Sequence, residues 1–135
     1  MICGVGLDLV DVAAFRGLVG AKNARTRFVS ATFSAAELRY CEEDAHGDAV
    51  VHLAVRFAAK EATLKALDAA AAALGLSPAS VPLNDVEVAR DDRGRPTLAL
   101  HGSADALARA LEVKALHLSL SHDGNAAGAV VIAER

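Results

Sequence analysis

The chain has 135 residues and sets 14 Lys and Arg against 17 Asp and Glu, for a formal net charge of −3. At 53% hydrophobic it is too apolar to be disordered over most of its length, and the length fits one domain. Only 4% is aromatic, with no Trp, which excludes a stacking platform for single-stranded nucleic acid; the balanced charge leaves no general polyanion footprint.

No run approaches the ~18–20 uninterrupted apolar residues that cross a bilayer, so no membrane partner is expected. Met1-Ile2-Cys3-Gly4 has no basic region ahead of its apolar run, so no signal peptide is expected and the expected location is the cytoplasm. Cys3 and Cys41 are then expected as reduced thiols. The apolar excess of so small a chain points toward an oligomer.

In chain order, residues 2–10 read as a buried strand interrupted by Gly4, Gly6 and Asp8. The segment from Val12 to Arg27 starts as a helix and loosens into a basic stretch carrying Arg16, Lys22, Arg25 and Arg27. Ser34-Ala35-Ala36-Glu37 is a capping box that opens a helix to about Glu43, followed by a loop over 44–48. Residues 50–74 form the longest predicted helix, ended by Gly75 and Pro78. Val86–Arg90 and Thr97–Leu100 pair around Asp91-Asp92-Arg93-Gly94. Ser103 is expected to cap a short helix to about Leu111. Ala115–Ser121 and Ala126–Ala133 form a second hairpin. This order predicts an α+β fold, an antiparallel sheet with helices packed on one side. There is no convincing internal repeat.

The long helix is apolar on both sides, with Leu53, Phe57, Leu64 and Leu67 on one and Val55, Ala58, Ala62 and Ala66 on the other. Arg56, Lys60, Glu61 and Lys65 interrupt it. Glu61 and Lys65 can form an ordinary i,i+4 pair, yet three cations and a carboxylate within ten residues of an apolar helix must pair, snorkel or line a cavity. Asp8 shares a strand face with Gly4 and Gly6, a bare face that lets a backbone or a ligand come close. It either caps the helix starting near Asp11 or finds a cation. Asp8 with Glu61 would make an all-oxygen, two-carboxylate site suited to Mg²⁺ and substrate phosphate. The histidines and cysteines lack zinc-site spacing, and there is no nucleophile elbow, Walker loop or dinucleotide fingerprint. The residues alone point to a phosphate-handling, Mg²⁺-dependent site.

Three blocks carry a resemblance: Gly4-Val5-Gly6-Leu7-Asp8-Leu9-Val10, Arg56-Phe57-Ala58-Ala59-Lys60-Glu61-Ala62 with Lys65, and Leu118-Ser119-Leu120-Ser121-His122. In this order and spacing they resemble the signature blocks of the holo-[acyl-carrier-protein] synthases, small 4′-phosphopantetheinyl transferases. The pieces Phe33-Ser34, Glu37-Leu38, Tyr40-Cys41 and Gly94-Arg95-Pro96 agree with it.

The resemblance implies that the phosphopantetheine arm of coenzyme A passes to a serine of apo acyl carrier protein, releasing adenosine 3′,5′-bisphosphate, and activates carriers for fatty acid or polyketide synthesis. It implies Asp8 and Glu61 as Mg²⁺ ligands, Lys65 as the group stabilising phosphoryl charge, and Arg56, Lys60 and His122 as contacts to the coenzyme. The serine proton has more than one acceptor open to it, Glu61 among them. The resemblance further implies a homotrimer with sites between subunits. It also implies a carrier-docking patch of Arg16, Lys22, Arg25 and Arg27, which the residues alone would equally allow as a solvated basic face. Two departures stand out: the alanine-rich run and longer loop after Leu67, which put nucleotide contacts there in doubt, and Asp123 where the family often has Ser or Thr.

Overall fold

A computed structural model describes residues 1–20 and 26–135, so Lys22 and Arg25 lie outside the described residues. Strand β1 (Ile2–Asp11) leads into helix α1 (Val12–Val19), which Asp11 caps by accepting from Ala14 N–H at 2.9 Å. Asp11, not Asp8, is therefore the capping carboxylate. Two short helices follow, α2 (Arg27–Thr32) and α3 (Ala35–Arg39), then a π-helical turn (Tyr40–Asp44) and the long helix α4 (Ala49–Ala72). The rest comprises β2 (Val86–Arg90), β3 (Pro96–Leu100), α5 (Gly102–Ala110), β4 (Ala115–Asp123) and β5 (Ala126–Glu134). β1, β5 and β4 form one antiparallel sheet in that order, and β2 pairs with β3 in a second.

The glycines of β1 decide how α4 lies. A Cβ on Gly4 would sit 2.0 Å from the Ala66 carbonyl oxygen, and one on Gly6 would sit 1.8 Å from that of Ala62. The bare strand face therefore receives a helix backbone, and buried Ala58, Ala59, Ala62 and Ala66 keep the approach close. α4 is buried on both sides, as its composition requires. The opposite face of β1 leaves Val5, Leu7 and Leu9 exposed.

All four phenylalanines gather beside the start of α4: Phe15 packs on Phe57 (5.4 Å between centroids) and on Phe28 (5.9 Å), and Phe33 closes the cluster. This packing holds α2, a helix the sequence pattern did not reveal. Its N-terminus is capped by Thr26.

The capping box is present: Ser34 N–H donates to Glu37 Oε1 (3.0 Å) and Glu37 N–H to Ser34 Oγ (3.1 Å). Ser103, by contrast, is not a cap. α5 begins one residue earlier, and the Asp85 carboxylate accepts from both Ser103 N–H (2.8 Å) and Ser103 Oγ (2.6 Å). A charged acceptor from before β2 does the work expected of the hydroxyl. At the β4–β5 turn, Asn125 accepts from Val12 N–H and, through its side chain, from Ala13 N–H, which fixes the hairpin tip to the start of α1.

Candidate active site

Asp8 reaches the α4 side of the sheet two residues beyond the Gly6 contact. Lys65, on the facing turn of α4, donates from Nζ to Asp8 Oδ1 (2.8 Å) and to the Leu7 carbonyl (3.0 Å). The Lys65 side chain is half exposed, whereas that of Asp8 is 14% exposed. Glu61, one helical turn before Lys65, completes the group. Burial raises its pKa above the ordinary glutamate value, the nearby Asp8 charge raises it further, and Lys65 works in the opposite direction. Two carboxylates whose charges oppose each other at a partly buried site form a donor set for a hard cation. Among the described residues no group of three or more His, Cys, Asp or Glu gathers as a protein-only metal cage. A Mg²⁺ ion fits this pair, because it takes one or two carboxylates and fills its other positions with water and phosphate oxygens.

Arg56 and His122 meet elsewhere. They line an open pocket of about 190 Å³ together with Tyr40, His52, Arg90 and Leu120. Arg56 is only 5% exposed, donates from Nη1 to the His52 carbonyl (3.2 Å), and has no partner for its Nε. The pocket stands on the β4 flank of α4, and the Asp8 group stands on the β1 flank. β5 lies between those strands, which separates their axes by roughly 10 Å. Tyr40, His52 and Arg90 gave no sequence signal as site residues: Arg90 is the last residue of β2, and Tyr40 is placed by the π-helical turn.

Lys60 requires a correction. It was expected to support the coenzyme anion, but no part of it reaches the surface. Its Nζ donates to Glu37 Oε1 at 2.8 Å and to the Val86 carbonyl, and Glu37 Oε2 accepts from Val88 N–H at 3.1 Å. Burial lowers the Lys60 pKa while Glu37 opposes the shift. Lys60 ties α4 to α3 and β2. It does not face the Asp8 group or the Arg56 pocket.

Of the basic patch, Arg16 pairs with Asp48, and Arg27 is exposed at the start of α2. Cys3 and Cys41 are free, and no described helix is long and apolar enough to cross a membrane.

Residues 4–131 match the 4′-phosphopantetheinyl transferase superfamily. A holo-[acyl-carrier-protein] synthase of Geobacter metallireducens is 42% identical over 135 residues, covering 100% of this chain and 99% of that protein. The chain belongs to the holo-[acyl-carrier-protein] synthase family. It is, with its relatives, a 4′-phosphopantetheinyl transferase. The Chronobacterium ammoniagenes ACPS–CoA complex superposes with a TM-score of 0.79 at 34% identity, over 96% of this chain and 95% of that one. The Mycobacterium tuberculosis acyl carrier protein synthase gives 0.69 at 34% identity, over 99% and 98%. The α+β arrangement of antiparallel sheets and helices is thus that of the family.

Proposed function

We propose that residues 1–135 act as one domain that transfers the 4′-phosphopantetheine arm of coenzyme A to a serine of an apo acyl carrier protein. The convergence of Asp8, Glu61 and Lys65 carries this reading, and the coenzyme A bound in the similar C. ammoniagenes protein supports it. The serine oxygen forms a bond to the phosphorus of the arm's phosphate as its proton passes to water or to a carboxylate such as Glu61, the pyrophosphate P–O bond breaks, and adenosine 3′,5′-bisphosphate leaves.

Asp8 and Glu61 would hold Mg²⁺, which supplies positive charge against the pyrophosphate oxygens. Lys65, held at Asp8 and the Leu7 carbonyl, presents its ammonium where charge grows on the transferring phosphate or the leaving group. Because little covalent chemistry falls to the protein in phosphoryl transfer, positioning and charge carry most of the rate.

The enzyme works as a homotrimer with sites between copies. Two features support this: the uncovered apolar face of β1, and the placement of the Asp8 group and the Arg56–His122 pocket on opposite flanks of α4. A neighbouring copy would bring the second half of the site to the first. An acidic carrier protein docks along α1 and the start of α2, where Arg16 and Arg27 lie, with Lys22 and Arg25 in the intervening stretch of sequence. Two free thiols fit the reducing cytoplasm, where the carriers of fatty acid or polyketide synthesis would be the substrates.

The metal assignment is tested by Asp8→Asn and Glu61→Gln. Each is expected to stay folded, to lose Mg²⁺-dependent turnover by about a hundredfold or more, and to lose the Mg²⁺-induced thermal shift. Full turnover by either variant would overturn the assignment.

A further inference from the structure

Helix α1 has only 8 residues and carries Gly17 in its interior. So short a helix is marginal by itself, and its first four N–H groups have no partners within the helix. Three of those groups are taken here. Val12 N–H donates to the Asn125 carbonyl (2.9 Å), Ala13 N–H to Asn125 Oδ1 (2.8 Å) and Ala14 N–H to Asp11 Oδ1 (2.9 Å). Two of the three acceptors belong to one residue that lies 112 positions from Ala13 in the sequence. The Asp11 carboxyl is held below its ordinary pKa by the Ala14 N–H first and by the Asn125 side-chain amide second, so Asp11 and Asn125 form one unit at the helix start.

Asn125 is the fixed point of that unit. It sits in the turn between β4 and β5, where Gly124 at φ 54° closes the hairpin and the pairs Asp123–Ala126 and His122–Ala127 lie directly behind it. β5 is paired on both sides, which anchors the turn more firmly than the short helix it holds. His122, three residues before Asn125, lines the pocket with Arg56. On the other side, Arg16 ties the second turn of α1 to Asp48 at the start of α4 (2.5 Å). One exposed side chain therefore sets α1 against the strand end that borders the pocket.

We propose that Asn125 is a positioning residue for the transfer reaction: by fixing α1, along which the acidic carrier docks, to the end of β4, it brings the carrier's serine into register with the coenzyme. This rests on the transferase reading above. Asn125 acts through α1 rather than by touching either substrate. α1 and the Arg56–His122 pocket belong to the same chain, so the alignment holds whichever copy supplies the Asp8 group. A serine presented off line loses transfer rate steeply, because the attacking and leaving oxygens must lie in line.

The test is Asn125→Ala in the full-length protein, with activity referred to the folded fraction. Its kcat/KM for an apo acyl carrier protein is expected to fall roughly tenfold. The Kd for coenzyme A, read by isothermal titration without carrier, should stay within about twofold of wild type. Arg16→Gln should also lower kcat/KM for the carrier, and the double variant should lose less than the product of the two single losses, because Asn125 acts through the helix that carries Arg16. If Asn125→Ala does not fold, Asp11→Ala loosens the same helix start from the other side and decides by the same measurements.

An unchanged kcat/KM for the carrier, with only a lower melting temperature, would make Asn125 merely structural and overturn the proposal. An equal loss of coenzyme affinity, or a double variant whose losses multiply, would overturn it as well. In each case continued transfer by wild type would leave the transferase reading standing. A wild type that transfers to no carrier would overturn both.

Discussion

The Lys60 ammonium and the Glu37 carboxylate meet at 2.8 Å with no more than 1% of either side chain exposed. Each also bonds the backbone of β2, so three elements depend on one ion pair. Removing one partner leaves a buried charge unpaired. Glu37→Ala is expected to cost about 3–5 kcal/mol in denaturant unfolding, far more than an exposed pair would. A loss below about 1 kcal/mol would show that Lys60 finds solvent or another partner. At concentrations where the protein remains folded, Lys60→Met should leave the KM for coenzyme A near wild type, which separates a structural lysine from a substrate contact.

The fit of β1 against α4 is equally specific. A methyl group on Gly6 has nowhere to go except into the Ala62 carbonyl, so Gly6→Ala should push α4 outward. We expect a loss of about 3 kcal/mol in stability, and a fall in kcat beyond it as Glu61 and Lys65 move from Asp8. Calorimetry with activity measured on the folded fraction checks both. Wild-type behaviour would mean that the strand and the helix are not in this contact.

The thiols give a pH dependence. Burial pushes Cys41 up to about 11 from its ordinary value near 9, with Arg56 acting in the opposite sense. The folded state keeps this proton after the unfolded chain has released it. The Cys41 contribution is therefore constant below about pH 9, and it declines by on the order of 1.4 kcal/mol per pH unit between the two values. At pH 8, thiol reagents should modify partly exposed Cys3 first and reach Cys41 only on unfolding. Prompt labelling of both in the native protein would contradict the burial.

The proposed sharing of sites between copies makes a further prediction. At coenzyme concentrations below the wild-type KM, co-expressed Asp8→Asn and Arg56→Gln subunits, each impaired when expressed alone, should regain activity in mixed oligomers by pairing an intact half from each. No recovery in verified mixed oligomers would mean that one chain supplies the whole site.

Much of this was legible in the sequence because its signals are local. The glycines of β1, the Ser34–Glu37 box, the long alanine-rich helix and both hairpins announce themselves within a few residues. The Asp8, Glu61 and Lys65 group was legible as chemistry that an apolar strand and helix could not otherwise hold. What escaped depends on distant partners. Lys60 sits where a site lysine could sit, and only its contact with Glu37, 23 residues away, shows it to be structural. α2 has no strong pattern of its own and exists because Phe28 and Phe33 join Phe15. Asp85 displaced Ser103 as the partner at the start of α5 across 18 residues, and Arg90 became a pocket residue only once β2 was laid beside Tyr40.

Transfer of the arm is read out by intact mass spectrometry of an apo acyl carrier protein. Incubated with this protein, coenzyme A and Mg²⁺, the carrier is expected to gain the mass of one phosphopantetheine arm, and to gain nothing with EDTA or with Asp8→Asn. An unchanged mass across several carriers, despite binding of coenzyme A, would rule out transfer; a full gain in EDTA would rule out the role of Mg²⁺.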